Sequence, residues 1–536
     1  MGQPSKLVER FMDRGIHLTP EALEEIKDVP ESSVRDLMVD LRERKDRPSI
    51  ITDTFISKLL ESEEAIPAEA SVGCESSDIS GKNEASVEGE EPSVDKKPEI
   101  SGKEVERPRE GLKIHKDITD KSTSKGEIED FIQLFRDRYE VLSGIIRSRE
   151  NFQSYTEMSN IARHEGDMVN LVGLVRSKRE TRKKDAWLIE MEDPTGKAVV
   201  YIKDSDRNEE VLREIGQVVT DEVIGVKAKV PGNLKSGSRD PLVWGNEIYW
   251  PEVPLSGPDS VKRKETERAS GYAVLISDLH VGSKMFLPKV FEKFINWLKG
   301  EAGNKRQREI SKKVKYLIIA GDLVDGIGIY PGQKKELEIV DVYRQYERVA
   351  SLLSEVPEDI TIIAAPGNHD AVRLAEPQPA LSNDVAAPLK DIDVELVGNP
   401  SYVSLEGVTF LLYHGMGFDD LISADLALDR ENVVNPMERM LKKRHLAPIY
   451  GEPMGGKTPI SPESEDYLVI DGVPDVLHCG HLHRYGCGKY RGVIMINSAT
   501  FQSQTIFMKR QGINPTPGRV PIVNLETKET RAINFA

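Results

Sequence analysis

The sequence predicts a multidomain chain: an α/β domain over residues 256–536, preceded by a small all-β domain and a small helical N-terminal domain. Three observations predict it. Residues 270–536 alternate short apolar runs with amphipathic stretches, the pattern of strands alternating with helices. Residues 166–253 change to short alternating or apolar runs broken by turn residues. Between the first sixty residues and these domains the composition becomes acidic and rich in Ser and Gly. A chain of 536 residues has room for about three domains at roughly 100–200 residues each.

Residues 1–60 read as a helical module. Leu7, Val8, Phe11 and Met12 fit one stripe, and Thr19-Pro20-Glu21 is a helix start with Thr as cap and Pro in the first turn. Pro30 and Ser32 open a helix through Val34, Leu37, Met38 and Leu41, and Ile50 to Leu60 gives one more. Residues 61–125 read as an acidic disordered linker with too few apolar side chains to offset the entropy of ordering. Within it, residues 61–100 carry twelve acidic groups against three basic ones, about half of the net charge of −17. The folded parts are therefore closer to neutral, and a nucleic-acid partner stays open.

Residues 126–255 read as a helical lead-in followed by a small β-barrel of the OB-fold type. The lead-in places Ile128, Phe131, Ile132, Phe135, Tyr139 and Leu142 on one helical face. Asp193-Pro194-Thr195-Gly196 is a turn between two strands. The hairpin residues Arg176, Lys178, Arg179, Arg182, Lys183 and Lys184 suit either phosphate contacts or a solvated surface. No run reaches the roughly 18 apolar residues of a membrane span, and Met1–Arg10 has no apolar stretch of an export signal. The expectation is a cytoplasmic protein with no membrane partner. Cys74, Cys479 and Cys487 are too few for a disulfide framework and are expected as free thiols.

The chemistry sits at the ends of five apolar runs. "YAVLISDLH" ends in Asp278 and His280, "YLIIAGDLVDG" delivers Asp322, and "ITIIAAPGNHD" delivers Asn368, His369 and Asp370. "VTFLLYHG" delivers His414, and "DVLHCGHLH" delivers His481 and His483. In α/β sheets ligands bind beyond the carboxyl ends of strands, so all five groups fall where a site forms. Six of the ten histidines lie in or beside these motifs, too many for accident. Gly321, Gly367, Gly415 and Gly480 flank the polar residues and permit close backbone approach. Mixed imidazole and oxygen donors fit a pair of divalent metals such as Mn, Fe, Zn or Ni, able to clamp a phosphodiester and activate a water. Asp325 reads as a turn residue in preference to a group supporting the ligands from behind, His478 as a packed residue, and Arg373 as either a phosphate contact or a surface residue.

These motifs, D-x-H, GD, GNHD, H and GHxH in order over residues 278–483, resemble the calcineurin-like metallophosphoesterase superfamily. That resemblance implies a four-layer αββα sandwich. It implies one metal on Asp278, His280, Asp322 and His483, and a second on Asp322, Asn368, His414 and His481, with Asp322 shared. His369 would assist the leaving oxygen, and Asp370 would orient His369. The site alone leaves phosphatases, nucleotidases, cyclic-nucleotide esterases and nucleases open. The OB-like domain before it, the loop Gly367–Ser382 and the tail Ser498–Leu525 resemble the small subunits of archaeal family-D DNA polymerases. The related eukaryotic B-subunits have degraded ligands, whereas every ligand position is filled here.

The resemblance implies a metal-dependent 3′-to-5′ proofreading exonuclease, assayed with Mn or Mg. It would be heterodimeric with a large catalytic polymerase subunit, and would act on single-stranded 3′ ends and primer-template DNA. The alternatives are another metal-dependent nuclease or phosphodiesterase, and a non-catalytic scaffold. A sliding clamp would be reached through the complex. Gln502–Lys509 has a Gln and an Ile-Phe pair but no double aromatic, and reads as a strand beside the core rather than a clamp-binding peptide.

Overall fold

The computed structural model describes residues 17–18, 50–51 and 111–536, the last apart from 153, 205–208, 233–239, 256, 258–269, 451–457 and 511. The chain divides into two units, Met1–Arg107 and Pro108–Ala536. In the first, β1 (His17–Leu18) pairs in parallel with β2 (Ile50–Ile51). Ile50 and Ile51 are thus strand residues where a helix was expected to begin. The rest of the expected helical module and most of the acidic linker lie outside the described residues.

The second unit corrects the end of that linker. Leu112–Lys116 forms β3, and Ile118 just beyond it is fully buried. An alternating Leu-Lys-Ile-His-Lys edge strand needs few apolar residues when a neighbouring sheet supplies the partner. Composition alone therefore hides it. Next comes α1 (Ile128–Arg147), which differs in phase from the expected stripe. Leu134, Arg138, Tyr139, Leu142 and Ile146 are buried, while Ile128 and Ile132 are 74% and 52% exposed. The reason is Arg138. Its guanidinium reaches Asp466 at 2.7 Å and the carbonyls of Asp221 and Pro448 at 2.9 and 2.7 Å, so a charged residue centres the buried face.

Residues 168–249 close a five-stranded barrel. Its strands are β4 (Met168–Glu180), β5 (Ala186–Asp193), β6 (Gly196–Lys203), β7 (Val223–Lys229) and β8 (Leu242–Tyr249), with α2 (Glu209–Ile215) between β6 and β7. The order is β4-β5-β6-β8-β7, closed by β4 against β7, and only β6 and β8 pair in parallel. Val169, Leu171, Ile189, Met191, Val200, Ile202 and Val226 fill it. Asp193 makes the expected turn, its Oδ1 accepting from the amides of Thr195 and Gly196 at 2.8 and 2.9 Å. At the β4–β5 tip Arg182, Lys183 and Lys184 are exposed. Lys178 instead reaches back to the Ile215 carbonyl at 3.2 Å.

The remaining chain builds two six-stranded sheets. The elements are β9 (Tyr272–Ile276), α3 (Pro288–Leu298), α4 (Lys305–Ser311), β10 (Val314–Ala320), α5 (Val342–Leu353), β11 (Thr361–Ala365), α6 (Asn383–Lys390) and β12 (Glu395–Leu396). There follow β13 (Ser401–Leu405), β14 (Val408–Leu412), α7 (Phe418–Ala424), α8 (Val434–Lys443), β15 (Val476–Cys479), β16 (Gly486–Tyr490) and β17 (Val493–Asn497). The chain ends with α9 (Ile506–Arg510), β18 (Arg519–Asn524) and β19 (Thr530–Asn534). One sheet runs β12-β11-β10-β9-β18-β19 and the other β16-β17-β15-β14-β13-β3.

The inner strands are buried on both faces, which is why they read as unbroken apolar runs. Leu275, Ile318, Ile363 and Val523 of the first sheet meet Val403, Phe410, Val476 and Ile496 of the second. Outside the first sheet pack Phe291, Phe294 and Trp297 of α3 with Tyr346 and Val349 of α5. Outside the second pack Leu421 of α7 with Met437, Met440 and Leu441 of α8. The order is helices, sheet, sheet, helices. The barrel is keyed to this body by Lys443 of α8, whose ammonium lies 2.6 Å from Glu222 with both side chains 1% exposed. Among the described residues no helix is long and apolar enough to cross a membrane.

Candidate metal centre

The five ligand-bearing loops leave the carboxyl ends of β9, β10, β11, β14 and β15, parallel strands drawn from both sheets. They converge. Asp278, His280, Asp322 and His483 are buried, and each offers a donor atom within 4.8 Å of the others. His280 Nε2 stands 3.0 Å from His483 Nε2 and 3.6 Å from Asp322 Oδ2, and His483 Nε2 is 3.2 Å from Asp278 Oδ1. On its other side, Asp322 Oδ2 lies 3.3 Å from His414 Nε2. His414 Nε2 is 2.9 Å from Asn368 Oδ1, which is 3.1 Å from His481 Nδ1. The structure therefore brings all seven expected donors together, in two sets that meet at Asp322.

The backbone is bent to do this. Asp278, His280, Asp322, His481 and His483 all have φ between +50° and +67°. Left-handed backbone at a non-glycine residue costs on the order of 1 kcal/mol or more, and such strain concentrates at functional sites. Gly367 is required by close approach, since a Cβ there would fall 2.2 Å from Asp322 Oδ1.

An oxygen on the far side of each ring other than that of His483 sets which nitrogen faces inward. His414 Nδ1 donates to the Ala320 carbonyl at 2.9 Å, leaving Nε2 as a free donor atom. His280 Nδ1 faces Asp325 Oδ1 at 3.1 Å, again freeing Nε2. His481 is reversed: its Nε2 faces Asp419 Oδ2 at 3.5 Å, and Nδ1 points inward. His369 Nδ1 donates to the Asp325 carbonyl at 2.8 Å, and its ring stands edge-on to His280 with centroids 4.6 Å apart.

The electrostatics suit a cation. Burial pushes the Asp278 and Asp322 carboxyls up, but the adjacent imidazoles outweigh it and hold both below their ordinary values, Asp322 furthest. Burial lowers His414, yet the Asp322 carboxylate beside it raises it to about 10. Acidic oxygens thus sit opposite imidazole nitrogens, and His414 would carry a proton unless another cation took its place, while burial lowers His280. That donor chemistry fits a divalent metal.

Three expectations change. Asp325 is not a bland turn residue: it is buried, and its carboxylate receives Gln502 at 2.9 Å and Gln333 at 3.1 Å besides facing His280. Asp370 does not orient His369. Its carboxylate accepts from the amides of Gly367 and Leu323 at 2.8 and 3.2 Å and from the Tyr346 hydroxyl at 3.0 Å, so it braces the loops around Asp322. Burial, then the Asp322 charge, pushes Asp370 up to about 6. Arg373, expected to meet phosphate, is committed to the Glu463 carboxylate at 2.9 Å and the Pro377 carbonyl at 2.8 Å.

His478 packs as expected, fully buried with Nε2 3.0 Å from the Ser498 hydroxyl. Cys479 is a buried free thiol and Cys487 an exposed one, while Cys74 lies outside the described residues. Asp419 was missed, because an Asp in the first turn of a short helix carries no metal-site spacing.

Residues 273–487 match the family model for the B-subunits of DNA polymerases alpha and epsilon. The DNA polymerase II small subunit of Archaeoglobus fulgidus is 48% identical over 411 residues, covering 77% of this chain and 78% of that one. That of Methanothermobacter thermautotrophicus is 42% identical over 414 residues, covering 77% and 81%. A solved structure of an archaeal phosphodiesterase aligns to 49% of this chain and 98% of its own, at 16% identity and a TM-score of 0.24. At these identities and coverages, the chain belongs to the family of DNA polymerase II small subunits.

Proposed function

We propose that this chain is the 3′-to-5′ exonuclease subunit of a heterodimeric replicative DNA polymerase, acting on single-stranded DNA ends at a two-cation centre. The assignment follows the two donor sets. Asp278, His280, Asp322 and His483 would hold one cation, and Asp322, Asn368, His414 and His481 would hold the other. The observation that carries it is the position of Asp322 Oδ2, 3.6 Å from His280 Nε2 and 3.3 Å from His414 Nε2, between the sets. Two divalent cations of the Mn, Fe, Zn or Ni type would supply Lewis-acid charge and a water of lowered pKa.

The chain's own residues do the rest. The hydrogen bond to Ala320 and the carboxylates of Asp325 and Asp419 fix which ring nitrogen of His414, His280 and His481 faces inward. His369, outside both sets, keeps Nδ1–H on the Asp325 carbonyl, so its Nε2 is the nitrogen left to face the leaving 3′ oxygen, and it passes that oxygen a proton when the ring is in its doubly protonated form. The barrel, read as an OB-fold, contributes the basic tip Arg182, Lys183 and Lys184 for the DNA backbone. The relatives are named small subunits, which supports a large polymerase subunit as partner. A sliding clamp is reached through that complex.

The test is the two-subunit complex with Mn²⁺, given single-stranded DNA, mismatched primer ends and cyclic nucleotides side by side. Degradation of the first two from the 3′ end is expected. Asp322→Ala should lower it by on the order of 10³-fold or more without disturbing assembly, since it removes the shared donor. If the wild-type complex leaves every single strand intact, the chain is a scaffold; if cyclic nucleotides are the better substrate, the nuclease reading fails.

A further inference from the structure

Two loops hang on Asp325. The first follows it directly, and Gln333 ties it back by donating to the Asp325 carbonyl at 2.7 Å and carboxylate at 3.1 Å. The Gln333 side-chain oxygen accepts from the Ile329 amide at 2.9 Å. The second loop runs from Gln502, whose amide donates to Asp325 Oδ1 at 2.9 Å, into α9. Tyr330 and Phe507, one from each loop, stack with centroids 5.4 Å apart and planes 25° apart. The anchors are buried, yet the loops hold apolar side chains out to solvent: Ile327 is 45% exposed, Ile329 36%, Ile506 57% and Phe507 45%.

Single exposed apolar residues are ordinary, but a group of them beside a polar centre marks a binding surface. This group adjoins the centre. Gly326 lies so close to His369 that a Cβ there would fall 2.3 Å from the His369 carbonyl, and 3.2 Å from the Ile329 side chain. Lys334, Lys335, Lys509 and Arg510 stand exposed on the same two loops.

We propose that this shelf binds the unpaired 3′-terminal nucleobase of the strand, by stacking on Phe507 and contact with Ile329, while the cations on the same loops meet its phosphates. The proposal rests on reading the neighbouring centre as one that acts on nucleic-acid ends. A nucleobase fits the observations better than a protein partner. An exposed aromatic ring on loops that also carry four exposed cations, the first loop meeting His369 through Gly326, matches a base joined to a phosphate. A paired terminal base keeps its stacking inside the duplex and is not offered to the shelf. The shelf therefore selects frayed or mismatched ends.

The experiment uses the two-subunit complex and two readouts. In EDTA, a single strand with 2-aminopurine at its 3′ end reports stacking by quenching. Quenching is expected with the wild type and not with Phe507→Ala. With Mn²⁺, strands ending in a normal or an abasic nucleotide are compared. The wild type should prefer the normal end by about tenfold in kcat/KM, the size of one base stack, and Phe507→Ala or Ile329→Ala should bring the ratio towards one. Equal quenching by wild type and Phe507→Ala, or an unchanged ratio in both variants, overturns the shelf. Loss of all cleavage by the wild type with quenching retained sinks the exonuclease reading alone.

Discussion

Every imidazole around Asp322 other than His483 has its outer nitrogen set against an oxygen, so the chain has chosen each inward-facing donor atom in advance. Asp325 makes the largest share of that arrangement, through His280, His369, Gln333 and Gln502. Asp325→Ala should therefore weaken divalent-cation binding about 10- to 100-fold, measured by calorimetry, although Asp325 belongs to neither donor set. A second outcome concerns protons. His414 sits at about 10 because Asp322 outweighs its burial, so at neutral pH a cation must displace a proton from it. Its raised value means the proton is held throughout the range below about 10, and affinity should fall about tenfold for each pH unit lowered between 8 and 6. A flat profile over that range would contradict the assignment. The convergence of the seven expected donors was readable because each follows an apolar run. Asp325 was not, because "DLVDG" reads as a turn and Gln333 and Gln502, the residues that fix its role, lie 8 and 177 positions away.

The strands were readable for the same physical reason: a strand buried on both faces has nothing but apolar residues to show. Elements whose neighbours decide their burial were harder. The face of α1 turns on Arg138, which needs Asp466 from the far end of the chain, and β3 needs β13. Residues 506–510 are helical where a strand was expected, since Thr505 and Met508, three apart, are the buried pair. The α8 junction with the barrel gives a direct test. Lys443→Met leaves Glu222 buried without its cation and should cost about 3–5 kcal/mol of unfolding free energy. Adding Glu222→Gln removes the buried charge but keeps only one acceptor oxygen for the Trp250 ring and the Val219 amide, and should restore part of that loss in urea titrations. No recovery would mean the pair does more than neutralise itself.

For the molecule as a whole, the unit that carries the centre begins before its first obvious domain. Ile118 is fully buried, Asp117 receives the Gly398 amide at 3.0 Å, and Glu463 is held by Ser122 and Thr123 at 2.6 and 2.7 Å. A chain starting at residue 108 should melt on the order of 5 °C higher than one starting at 126, because the shorter one loses an edge strand and a buried side chain. Equal melting points would show that the segment is a passenger. The α/β class and the barrel were plain from periodicity. The boundary at 125 was misplaced because composition reports how a segment would fare alone, and this one does not stand alone.

The suspension of both apolar loops from the carboxylate that aims His280 carries a thermodynamic obligation. If occupancy of the cation centre stiffens Asp325, a strand end meets loops already ordered, and binds more tightly by some factor. Reciprocity then fixes the converse: the strand end must raise cation affinity by that same factor. An enzyme coupled in this way would hold its metals most firmly when an unpaired terminus is present, and most loosely between substrates.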